Sequence, residues 1–153
     1  MPFSLDTSGI LDAWVRNYPP DVFPAIWSNM DAAAERGDIF VVDEVVRELE
    51  RKDDDVLKWV KKHDSMIVRI DAEIQRYVVE IMSSHTRLVD SKKNRSGADP
   101  WVIALARAKS LTVVTAEKAT GSPAKPKIPD VCKDLGIVSV SVIDFFRRQG
   151  WRW

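Results

Sequence analysis

The sequence predicts an α/β fold, with a mostly parallel central sheet of four to five strands covered by helices on both faces. Three observations predict it. Short strand-like runs alternate with helical periodicity along the whole chain. Ile39–Val42 and Leu111–Thr115 are β-branched and apolar, as buried strands are. The segment Trp101–Ala106 is apolar nearly all round, which marks a central helix covered on several sides. A length of 153 residues fits one domain, residues 1–153.

Phe3-Ser4-Leu5-Asp6 reads as a short buried strand ending in an acid. Thr7-Ser8-Gly9 turns the chain, and Ile10, Leu11, Trp14 and Val15 give a helical face that Asn17-Tyr18-Pro19-Pro20 stops. A second helix covers Ala25 to Arg36, with Gly37 placed for a left-handed end. The strand Ile39–Val42 runs straight into a helix marked by Val45, Val46 and Leu49. Asp53-Asp54-Asp55 opens another helix, through Lys62, with acids at its favourable end. Met66–Val68 is a third strand, and Asp71–Ser84 an amphipathic helix. A polar, basic loop, Asp90–Gly97, leads to Asp99-Pro100 and the central helix through Lys109. After the strand Leu111–Thr115 come a Pro/Lys/Gly loop (Ala116–Pro129), a short helix (Asp130–Leu135) and a strand (Ile137–Val140). Ser141 and Asp144 form a capping pair for the closing helix.

Composition excludes several classes. Cys132 is the lone cysteine, which rules out an internal disulfide and a cysteine-based zinc site. There is no apolar run of membrane-spanning length and no basic, apolar leader, so a cytoplasmic protein is expected. Lys plus Arg and Asp plus Glu number 23 each. That balance does not announce a nucleic-acid binder, but local basic patches remain compatible with one.

The acids point to chemistry. Asp6 ends the first strand, Glu44 follows the second by two residues, and Glu117 follows the Leu111–Thr115 strand by two. In an open parallel sheet these positions share the carboxyl edge, where ligands bind. Asp99 opens a helix antiparallel to the strand it feeds, which brings it to the same edge. Singly each acid has an ordinary reading: Asp99 before Pro100 fits a helix cap, Glu44 a first-turn acid, Glu117 a solvated loop charge. Together they would repel one another, and a divalent cation removes that cost. Mg²⁺ and Mn²⁺ prefer such oxygen ligands and activate water for phosphodiester hydrolysis. A haloacid-dehalogenase phosphatase would need a second Asp where Ser8 stands, and a receiver domain an acid beside Asp6.

Four segments together resemble the PIN domains, and especially the small VapC-type toxins: Ser4–Leu11, Val42–Leu49, Gly97–Ala106 and Val113–Glu117. Their order and spacing cover almost the whole chain. The resemblance implies a three-layer α/β/α sandwich and a Mg²⁺- or Mn²⁺-dependent endoribonuclease, with a non-catalytic PIN-like protein- or RNA-binding module as the alternative. It implies Asp6, Glu44 and Asp99 as principal metal ligands. Glu117 would complete the site or hold a second ion, directly or through water, because it is longer than the family's usual Asp. Thr7 or Ser8 and Thr115 would orient ligands and waters through their hydroxyls.

RNA is the substrate implied. Lys92, Lys93 and Arg95 ahead of Asp99, and Lys118 after Glu117, stand where they could hold phosphates or simply face solvent. The tail Phe145–Trp153 interleaves aromatics with arginines and reads more readily as packing than as base stacking. Trp14, Trp27, Trp59 and Trp101 fall on apolar helical faces, as core or interface; an exposed share would suit a homodimer or an antitoxin-binding groove. The resemblance further implies a cognate antitoxin that covers the active site.

Overall fold

The sheet is built outward from β1 (Phe3–Leu5), which pairs in parallel with β2 (Ile39–Val42) on one side and β4 (Thr112–Val114) on the other. β3 (Ile67–Val68) extends it beyond β2, and β5 (Ser139–Val140) beyond β4. The computed structural model describes residues 2–89 and 97–153. Among them the strand order is β3-β2-β1-β4-β5, and every pairing is parallel. The expected sheet is therefore present in full.

The helices follow from that order. α1 (Thr7–Leu11) continues into a π-helical stretch, Asp12–Asn17, and the chain returns to the sheet through α2 (Pro24–Arg36). Gly37 ends α2 at φ 77°, the left-handed conformation expected of it. α3 (Asp43–Lys52) starts at once after β2. Asp53 then caps α4 (Asp54–Lys62) by accepting the Val56 N–H at 2.9 Å. α5 (Ala72–Ser84) and α6 (Asp99–Lys109) lie between β3 and β4, and α7 (Ile128–Leu135) between β4 and β5. α8 (Val142–Arg148) closes the chain.

Right-handed crossovers place the β1-to-β3 connections on one face and the β3-to-β5 connections on the other. Side-chain alternation agrees. Phe3 meets Phe145 of α8 at 4.8 Å between ring centres, whereas the Ser4 hydroxyl donates to the Val102 carbonyl of α6 at 3.1 Å. Trp14, Trp27 and Trp59 cluster edge to face on the first side, with Trp14–Trp27 at 4.5 Å and Trp27–Trp59 at 5.2 Å. In the tail, Trp151 and Trp153 pack on Phe146 at 5.7 and 5.4 Å, the packing role expected of that segment. No described helix is long and apolar enough to cross a membrane.

Two departures from the expected boundaries bear on the site. Thr7-Ser8-Gly9 is the first turn of α1 and no loop. Gly9 explains why: a Cβ there would sit 3.2 Å from the Val114 carbonyl, so its bare backbone lets α1 lie directly against β4. α7 starts at Ile128, two residues before the expected Asp130. The Asp130 carboxylate accepts the Lys127 N–H at 2.8 Å and satisfies the helix start, and proline at position 129 is tolerated in a first turn.

The tryptophan face is pinned by one acid. Asp31 Oδ1 accepts the Trp59 indole N–H at 2.8 Å and lies 2.8 Å from Nε2 of the buried His63. Burial opposes its charge, but these bonds and the nearby Lys62 ammonium outweigh that, so its carboxyl is held below the ordinary value. Asp31→Ala leaves the indole and imidazole without their acceptor and should cost about 1–3 kcal/mol in urea unfolding. A loss below a few tenths would show that water replaces the acid at no cost.

Candidate metal centre

The centre lies where β1 and β4 are neighbours, the point at which the strand order reverses and a parallel sheet opens a crevice at its carboxyl edge. Asp6 is two residues beyond Ser4 and so turns toward the α6 side. Its backbone N–H donates to the Val114 carbonyl at 2.9 Å, which locks it onto β4. Thr115 bears the same relation to Val113. The Thr115 hydroxyl donates to Asp6 Oδ2 at 2.8 Å, and the Ser8 hydroxyl donates to the same oxygen. Backbone amides aim both hydroxyls: Ala116 N–H donates to Ser8 Oγ at 3.2 Å, and Glu117 N–H to Thr115 Oγ1 at 3.0 Å. Of the three hydroxyls the sequence singled out, the structure brings Ser8 and Thr115 to Asp6, whereas that of Thr7 is buried without a partner among the described residues.

Asp99 is the first residue of α6, and Ala98 occupies the cap position. The expectation of Asp99 as the cap followed by proline is off by one: Asp99 and Pro100 both lie inside the first turn. A carboxylate there still gains from the helix dipole. Asp6, Asp99 and Glu117 each bring one oxygen to within 4.8 Å of the others. Asp6 and Asp99 are 2% and 5% exposed. Burial, reinforced by the charges of Glu117 and Glu48, pushes the Asp6 carboxyl up to about 6 against the pull of its two hydroxyl donors. The buried Cys132 thiol is pushed up to about 12, mainly by burial and further by the Asp6 charge, so it stays protonated and offers no thiolate. Three hard oxygen donors gathered in a buried spot fit a small divalent cation such as Mg²⁺ or Mn²⁺.

Glu44 is not brought to this cluster. It sits in the first turn of α3 and pairs with Arg47 at 2.9 Å. The acid of α3 that lies inward is Glu48, one turn further on, which sequence reasoning missed. Glu48 is 7% exposed, and its Oε1 accepts the Ala98 N–H at 2.8 Å, directly before Asp99. The signal was present: Val45 and Leu49 mark the buried face of α3, and Glu48 falls on that face. An acid on an apolar stripe is more informative than an acid next to a strand. Of the basic candidates, Lys118 is exposed beside Glu117, while Lys92, Lys93 and Arg95 lie outside the described residues.

Residues 3–153 match the family described as a domain of unknown function, DUF4411. The chain belongs to this family. Among curated proteins none shows a significant match. Among solved structures, this DUF4411 member is similar to a chain in the crystal structure of VapBC2 from Rickettsia felis bound to a DNA fragment from their promoter. The TM-score is 0.56 at 18% identity, over 92% of this chain and 98% of that one. The fold is thus PIN-like, in agreement with the expected α/β/α arrangement.

In the metal-free protein the folded state keeps a proton on Asp6 up to about pH 6, while an unfolded Asp releases it near 3.8. The folded state binds more protons across that window, so this group's contribution falls as pH rises from 4 to 6 and stays lost above it. Asp6→Asn should therefore stabilise the metal-free DUF4411 protein at neutral pH, by roughly 3 kcal/mol at most. Thermal melts in EDTA at pH 4 and pH 7 read this directly. A variant less stable than wild type at pH 7 would mean that the acids do not strain the fold.

Proposed function

We propose that this protein is a metal-dependent endoribonuclease, the toxin of a toxin–antitoxin pair. The convergence of Asp6, Asp99 and Glu117 at the carboxyl edge of a PIN-like sheet carries the reading. In this reading those three carboxylates hold Mg²⁺ or Mn²⁺, and Glu48 is the acid that α3 supplies, in place of Glu44. Such an ion, when bound, polarises a phosphoryl oxygen and lowers the pKa of water.

The chain's own residues do the rest. Ser8 and Thr115 fix the Asp6 carboxylate. Glu48 fixes the Ala98 turn and so the position of Asp99. Lys118, Lys125 and Lys127 stand exposed on the loop that follows Glu117, where they can meet phosphates of an RNA strand. The likeness to a chain of VapBC2 supports an antitoxin as the partner. A cover of that kind would screen the acids until the partner is removed.

Purified protein should cleave a structured RNA with Mg²⁺ or Mn²⁺ and stop on addition of EDTA. Asp6→Asn, Asp99→Asn and Glu48→Gln should each lower the rate at least about a hundredfold, the scale of losing a group that stabilises developing charge. Glu44→Gln should change it less than about threefold, since that acid, unlike Glu48, is neither buried nor bonded to the turn before Asp99. Calorimetry that finds no Mn²⁺ binding by the folded wild type would point to a non-catalytic binding module. Full loss in Glu44→Gln with full activity in Glu48→Gln would restore Glu44 as the acid of α3.

A further inference from the structure

Glu117 is one methylene longer than the aspartate that the resemblance leads one to expect, and it stands just beyond β4, on a loop. A long side chain on a loop needs something to hold it. Its Oε2 accepts the Ile128 N–H at 3.0 Å, at the first residue of α7. What then fixes the start of α7 is Asp130. Its carboxylate accepts the Lys127 N–H at 2.8 Å, the Gly121 N–H at 2.9 Å and the Thr120 N–H at 3.1 and 3.0 Å, and lies 3.2 Å from the Thr120 hydroxyl. The Thr120 hydroxyl also donates to the Lys125 carbonyl at 2.9 Å.

A helix start needs far less. Asp53 and Asp71 cap α4 and α5 with one bond each, to Val56 N–H and Ile74 N–H. Asp130 satisfies its own helix through Lys127 and reaches back across ten residues to Thr120. The extra bonds close the loop between Glu117 and Ile128 into one body. Although the little burial it has opposes this, the Lys127, Thr120 and Gly121 N–H groups hold the Asp130 carboxyl down at about 2, so the clamp is charged at any working pH.

We propose that Asp130 is a positioning residue for the metal centre: it fixes the loop and the start of α7 so that the Ile128 N–H holds Glu117 in the acid cluster. The inference rests on the reading of Asp6, Asp99 and Glu117 as the cation site. It assigns Asp130 no contact with cation or RNA; Asp130 acts through Glu117.

Mn²⁺ calorimetry at neutral pH on wild type, Asp130→Asn, Glu117→Gln and the double variant tests it. Asp130→Asn should bind Mn²⁺ about tenfold more weakly, the scale of losing a partner that orients a metal ligand. Combining it with Glu117→Gln should weaken binding no further than Glu117→Gln alone, because both act through one carboxylate. Wild-type affinity in Asp130→Asn, or losses that multiply in the double variant, would overturn the proposal while leaving the cation site standing. No Mn²⁺ binding by folded wild type would remove the site and the proposal with it.

Should Asp130→Asn fail to fold, Ile128→Pro deletes the N–H itself. Proline suits a first helical position, and Lys127 before it is already extended at φ −111° and ψ 172°. That variant should reproduce the Glu117→Gln affinity with Asp130 intact. Unchanged affinity would overturn the tether.

Discussion

Mutual repulsion among buried carboxylates is the constraint around which this protein is arranged. Asp6 lies almost wholly out of water with Asp99 and Glu117 against it and the charge of Glu48 acting on it. Without compensation that grouping would come apart or hold protons. The fold compensates locally. Two hydroxyls share one oxygen of Asp6, a backbone amide holds one oxygen of Glu117, another holds Glu48, and a helix N-terminus stands behind Asp99. The residual strain, visible in the raised Asp6 pKa, is what a bound cation would relieve.

Sheet alternation delivers those partners to one place. Ser4 on β1 and Asp6 just past its end, with Val113 on β4 and Thr115 just past its end, project toward α6, while Phe3, Leu5 and Val114 project into the aromatic layer beneath α2 and α8. A single period of two therefore separates a largely apolar, ring-filled layer from a layer that ends in charge. The two layers meet different demands. One supplies burial of rings, and the other carries few, fully bonded polar groups.

Much of this was legible in the sequence, for identifiable reasons. Strand and helix alternation gave the sheet, and Gly37 gave the end of α2, because each depends on local chemistry. Asp6, Asp99 and Glu117 could be gathered on one edge because parallel topology brings strand ends together. Glu44 was chosen for its nearness to β2, a criterion blind to which face of α3 is buried, and so Glu48 was passed over. Thr7-Ser8-Gly9 looked like a turn because small polar residues usually make one. The close approach of α1 to the Val114 carbonyl, which needs Gly9, involves a strand over a hundred residues away and leaves no local trace.

That approach has a consequence for how the centre can vary. Gly9 carries no charge, ligates nothing and touches no phosphate, yet it sets the distance between the helix that carries Ser8 and the strand end that carries Thr115. A Cβ there would meet the Val114 carbonyl at 3.2 Å, so α1 or β4 would have to give by a few tenths of an ångström beside the acid cluster. The geometry of the centre thus depends on a neutral, chemically silent position as well as on its carboxylates.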